Sequence, residues 1–143
     1  MSSSVDSQEN IFCFVQFIGG ILNTLKMLEE GIISDINIRY SGYFDCTALM
    51  YQAYRGTVES MESLLAHKPP ALVNLKDRRG RTALYWAVGS GRDKPAKVRL
   101  LLDYGADKTI RNNGGNTALE NARYTNHPIC VRVLESYTPK LRG

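Results

Sequence analysis

From Val98 the chain reads VRLLL, and Val98, Leu101 and Leu102 fall at the spacing that places residues on one face of a helix. Comparable apolar segments are ESLL, ending at Leu65, and VRVLESY, ending at Tyr137. A shorter apolar segment precedes each: TALMYQA from Thr47, TALYWAV from Thr82 and TALENAR from Thr117, a step of 35 residues each time (82 less 47, 117 less 82). Each of these contains a small residue, Ala53, Ala87 or Ala122, and is followed by a break at Gly56, Gly91 or Asn126. The pattern predicts two short helices joined by a tight turn, repeated along the chain.

The polar positions mark the boundaries. In the middle copy, Pro95 suits a helix start with Asp93 as its cap, and Gly105 suits a left-handed residue at the helix end. Turn-rich stretches, NLKDRRGR and IRNNGGN, separate the copies. Pro69 and Pro70 forbid helix after the first copy, so that stretch is expected to bulge as a loop. Upstream, FVQFIGGILNTLKMLEEGIISDINI fits the same template: Gly19 and Gly20 at the turn, Leu25 and Leu28 in the second helix, Gly31 at its end. This gives four units, about 11–40, 41–75, 76–110 and 111–137, in a single domain between an N-terminal tail, 1–10, and a C-terminal tail, 138–143. A lone helix pair cannot bury both its faces, so stacking of neighbours is what creates a core.

Together, DRRGRTALYWAV and LLLDYGAD in the middle copy resemble the ankyrin repeat. That family has two helices and a β-turn finger per unit and a T-P-L-H-x-A signature. The resemblance spans roughly Ile11 to Tyr137 and is strongest in the middle copy. It implies an all-α solenoid of stacked helix-turn-helix units with short β-turn fingers. The signature proline is alanine in every copy (Ala48, Ala83, Ala118), and the signature histidine is Met50, Tyr85 or Glu120. The histidine's bonds between neighbouring repeats cannot form in the same way, and looser stacking is expected.

Composition adds exclusions rather than a function. The chain has 143 residues, 43% hydrophobic and 22% charged, which suits a folded globular domain. A formal net charge of +4 does not name a partner. Three scattered cysteines, Cys13, Cys46 and Cys130, without any C-x-x-C pair, argue against a disulfide framework or zinc site and fit a reducing compartment. With only two histidines, His67 and His127, both in loop or cap positions, no metal, cofactor or Cys–His nucleophile is expected. The glycines of VGSGRDK read as an inter-helix turn, not a phosphate loop, and Trp86 reads as core. The apolar run from Ile11 to Leu22 is too short to span a bilayer. No Lys or Arg precedes it as a signal peptide requires. The expectation is a cytoplasmic protein, compatible with the nucleus and not secreted.

The resemblance implies a non-enzymatic protein-interaction module whose partner docks on the fingers and on the exposed side of each first helix. Carried over, this groove comprises Tyr43, Phe44, Tyr54 and Arg55, then Arg78, Arg79, Arg81 and Ser90, then Asn113, Asn116, Tyr124 and Thr125. Tyrosine and arginine combine large area with directed polar contacts, which makes them frequent interface anchors. The finger KDRRGR holds four basic residues and one acidic, so an acidic segment or face is the natural complement. Changing Arg78, Arg79 and Arg81 to Glu is expected to weaken binding with little effect on melting. The alternative is nucleic-acid binding through Arg78–Arg81, which the neutral fingers YSGYFD and RNNGGN disfavour. Finally, the first helix, IFCFVQFI, is apolar on every side, and Phe12, Phe14 and Phe17 imply self-association or a second partner.

Overall fold

In a computed structural model of the chain, residues 28–31, 34–39, 44–89 and 94–138 are described. Tyr43, Ser90, Gly91, Asp93, the turn expected at Gly19 and Gly20, and the helix expected around Phe12, Phe14 and Phe17 lie outside them.

Threonine starts each first helix because its extended backbone lets the side chain turn back on the next turn's donors. Thr47, Thr82 and Thr117 have φ of −96, −94 and −83° and are the N-caps of α1 (Ala48–Arg55), α3 (Ala83–Val88) and α5 (Ala118–Tyr124). The Thr47 and Thr117 hydroxyls accept from Met50 N and Glu120 N, whereas Thr82 makes no such bond. The second helices are α2 (Val58–Ala66), α4 (Lys94–Asp103) and α6 (Pro128–Ser136). In α2 the cap is reciprocal: Ser60 N donates to Thr57 Oγ1 and Thr57 N to Ser60 Oγ.

Two layers result. First helices stack in the order α1, α3, α5 and second helices in the order α2, α4, α6, with each pair packed internally. No strand occurs among the described residues. This is the expected all-α solenoid. The tripeptide Thr-Ala-Leu is explained by the stack: after the cap, Ala48, Ala83 and Ala118 are buried, as are Leu49 and Leu84. Ala53, Ala87 and Ala122 have no exposed surface at all. A methyl group there lets helices approach closely, and a larger side chain would overpack the contact. Val98, Leu101 and Leu102 form the buried stripe of α4.

Glycine closes second helices where the backbone turns left-handed, at Gly31 (φ 74°) and Gly105 (φ 92°). Two boundaries differ from expectation. α3 stops at Val88 with Gly89 as its C-cap, two residues before Gly91, because glycine is the poorest non-proline residue in a helix. α4 starts at Lys94, so Pro95 occupies its second position, where a missing N–H still costs nothing. Residues 67–70 form the expected loop around Pro69 and Pro70.

Candidate functional site

The second finger is organised by Asp77. Its Oδ1 accepts from Arg79 N and Arg81 N, both at 2.8 Å, which folds the tip over the carboxylate. Its Oδ2 accepts from Arg81 Nε at 2.7 Å and from Trp86 Nε1 at 3.0 Å, tying the finger to α3. Gly80 reverses the chain at φ 76°, where a Cβ would lie 2.6 Å from Asn113 Oδ1. In the third finger Asn112, 35 residues on, does the same work, accepting from Gly114 N and Asn116 N.

The fingers are also bonded to one another. Arg78 N donates to Phe44 O, Asn113 N to Arg79 O, and Asn113 Nδ2 to Arg78 O. Arg39 Nη1 donates to Asp45 O and Lys76 O. This clamp holds Phe44 and Asp45 in the left-handed region, at φ 61 and 56°. Such a conformation strains a bulky residue and persists only where its surroundings impose it.

Within this frame the guanidinium of Arg81 lies 4.9 Å from the Phe44 ring centroid and 4.6 Å from that of Trp86. Tyr54, from α1, meets Trp86 edge-on at 5.8 Å. The rings and guanidinium wall a cleft of about 200 Å³, completed by Tyr85 and by Asn121 of α5. Arg79 stacks on Phe44 from 4.7 Å, and Arg55 on Tyr54 from 5.3 Å. Neither Arg55 nor Arg79 pairs with a carboxylate among the described residues.

The predicted groove residues therefore fall into three groups. Phe44, Tyr54 and Arg81 line the cleft, and Arg55 and Arg79 stand against its ring walls. Arg78 reaches Asp45 at 3.5 Å, and the exposed Asn113 is committed to holding the fingers together. Asn116 completes the third turn through its backbone, and Thr125 donates to Asn121 O at the end of α5. Tyr124 points into solvent, 91% exposed, away from the cleft lining.

One expectation is overturned. Arg81 is no turn-tip charge: it is mostly buried, stacked and paired with a carboxylate of no exposed surface. Changing it to Glu would set two carboxylates against each other and perturb folding, so the triple arginine variant cannot isolate binding. The residues missed were Asp77, Tyr85 and Asn121. The signal for Asp77 was present, since Asp77–Gly80 and Asn112–Gly115 share one spacing at the 35-residue step. Where the signature histidine is replaced, Met50 Sδ accepts from Thr47 N, and Glu120 accepts from Thr117 Oγ1 and Arg111. These contacts stay within one unit.

A wider recess of about 440 Å³ near the third finger, lined by Lys108, Arg111, Leu119 and Glu135 among others, contains none of the predicted residues. Among the described residues no group of acidic, His and Cys side chains is arranged to hold a metal, and no helix is long and apolar enough to cross a membrane.

Paired helices stacked in two layers, with bonded turns along one edge, define a helical repeat solenoid. The chain belongs to the ankyrin repeat family: the description "Ankyrin repeats (3 copies)" matches residues 15–112. Among solved structures, the ankyrin repeat protein EF0377 superposes with a TM-score of 0.67 at 28% identity, over 78% of this chain and 56% of that one. A chain from the structure of the Bdellovibrio bacteriovorus predatory endopeptidase Bd0816 in complex with immunity protein Bd3460 gives 0.62 at 27% identity, over 83% and 61%. Curated relatives include diacylglycerol kinase iota of Rattus norvegicus, 28% identical over 95% of this chain and 12% of that protein. A Caenorhabditis elegans homolog of transient receptor potential cation channel subfamily A member 1 is 31% identical, over 85% and 10%. The chain thus spans about an eighth or less of the length of these two relatives. Ankyrin repeats are protein-interaction modules and generally not catalytic.

Proposed function

We propose that this chain is a non-enzymatic interaction module, acting as adaptor, regulator or stoichiometric inhibitor, and that it grips an acidic segment of a protein partner. The observation that carries this is the pair of guanidiniums, Arg55 and Arg79, held on the cleft's ring walls with no carboxylate of their own among the described residues. Stacking fixes their direction, so little freedom is lost when a partner carboxylate arrives. The strained Phe44–Asp45 pair supports the same place, because such strain collects at binding sites. The solved neighbour taken from a complex of an endopeptidase with an immunity protein accords with a protein-binding role. We also read the chain as cytoplasmic or nuclear, supported by Cys46 and Cys130, buried thiols that form no disulfide.

The test is affinity capture from native extract, followed by measurement on the identified partner. Arg55→Glu with Arg79→Glu should weaken binding at least tenfold, in keeping with loss of one or two charged contacts of roughly 1.5–3 kcal/mol each, while melting stays unchanged. Full affinity in that variant removes this edge from the interface. Nucleic-acid binding is disfavoured because Asp45 and Asp77 pair with Arg78 and Arg81 of the basic finger. A steep loss of affinity for generic duplex or single strand with added salt would reverse that preference.

A further inference from the structure

We infer that the Phe44–Trp86 cleft receives the side chain of a single glutamate from an acidic segment of the partner, with Arg81 as its anchor. This rests on the interaction reading above and gives it a chemical address. Size argues first. A volume of about 200 Å³ is below the roughly 300–1,000 Å³ of small-molecule pockets. It suits one side chain rather than a cofactor.

Polarity argues next. Arg81 uses only Nε toward Asp77, and its side chain, 21% exposed, lines the cleft with guanidinium donors to spare. The hydroxyls of Tyr54 and Tyr85 and the side-chain amide of Asn121 also make no hydrogen bond among the described residues. Guanidinium, phenol and amide can all donate, so the group that satisfies them together is rich in acceptors. A carboxylate is such a group, and its bonds to a guanidinium are charge-assisted. The local charge balance agrees: four arginines, Arg55, Arg78, Arg79 and Arg81, stand around the rings against the two carboxylates of Asp45 and Asp77. The aromatic walls at Trp86 and Tyr54 select the longer acid. Glutamate has two methylenes to lay against the rings before its carboxylate reaches the guanidinium, while aspartate has one.

A random-peptide library panned against the full chain provides the probe. Trp86 is the sole tryptophan, so its indole N–H resonance reports directly on the cleft wall. The expected result is enriched peptides sharing one glutamate, which shift the indole resonance when synthesised with an amidated C-terminus. Replacing that glutamate by glutamine should weaken binding roughly tenfold or more, and Tyr85→Phe or Asn121→Ala should each weaken it several-fold with melting unchanged. Binding lost on amidation would assign the carboxylate to a chain terminus and overturn the proposal. Acidic peptides that bind without moving the indole resonance overturn it too but leave the acidic-segment reading standing, whereas binders that share no acid overturn both and leave only a protein-interaction module. Failure to enrich any peptide would count against both.

Discussion

The carboxylate of Asp77 has no exposed surface, yet four donors reach it from Arg79, Arg81 and Trp86. Removing it takes the acceptor from the Arg81 Nε–H and from the Trp86 indole N–H. Asp77→Ala should therefore cost about 2–4 kcal/mol, discounted from a fully buried pair because Arg81 keeps some water. Chemical denaturation checks this, and a loss under half a kcal/mol would deny Asp77 its organising place. Another acid shows the same turn chemistry at the surface. Asp107 Oδ1 accepts from Thr109 N at 2.8 Å and Thr109 Oγ1 at 2.6 Å, and those bonds hold its pKa below the ordinary aspartate value of 3.8. Because the folded value is depressed, the stabilisation exists above the unfolded pKa and is lost as pH falls through the folded one. An NMR titration should find Asp107 below 3.8, and Thr109→Val should move it upward.

At the scale of elements, the recurrent threonine does not act alike everywhere. Thr117→Ala should cost about 1 kcal/mol through loss of its cap bond. Thr82→Ala should cost less, since its hydroxyl caps nothing. Equal losses in thermal unfolding would show that packing, not capping, keeps threonine there. Leu101, with no exposed surface, anchors the stripe of α4. Leu101→Ala should cost about 2–5 kcal/mol, the range for a buried leucine whose cavity does not collapse.

Across the whole molecule, polar side chains sew one unit to the next. Asn37 Oδ1 accepts from Leu72 N, and Asn74 Oδ1 from Asp107 N, at 2.8 and 2.9 Å. More deeply, Lys97 of α4 is entirely buried and donates through Nζ to Ala53 O, in the last turn of α1, at 3.1 Å. A cation there meets the negative end of the helix and one of its orphan carbonyls. Lys97→Met keeps the aliphatic stem and deletes the donor, so it should destabilise by roughly 1–3 kcal/mol. If denaturant midpoints do not move, the stack does not depend on that bond.

Local pattern was enough for the architecture. A threonine–alanine–leucine step of 35 residues, an apolar stripe at helical spacing and glycines at helix ends are properties of neighbouring residues, and they specify helices and stacking. Phe44, Tyr54, Arg55, Arg79 and Arg81 were legible too, because repeat alignment names an edge. What that edge does with each residue was not legible. Lys97 reads as a solvated charge until α1 is laid over it, and Arg81 reads as a turn tip until Asp77 and two rings enclose it. The cleft joins residues from three first helices and two fingers, separated by tens of positions in the chain. Only packing brings them within reach, since burial and hydrogen bonding depend on distances through space that sequence spacing does not encode.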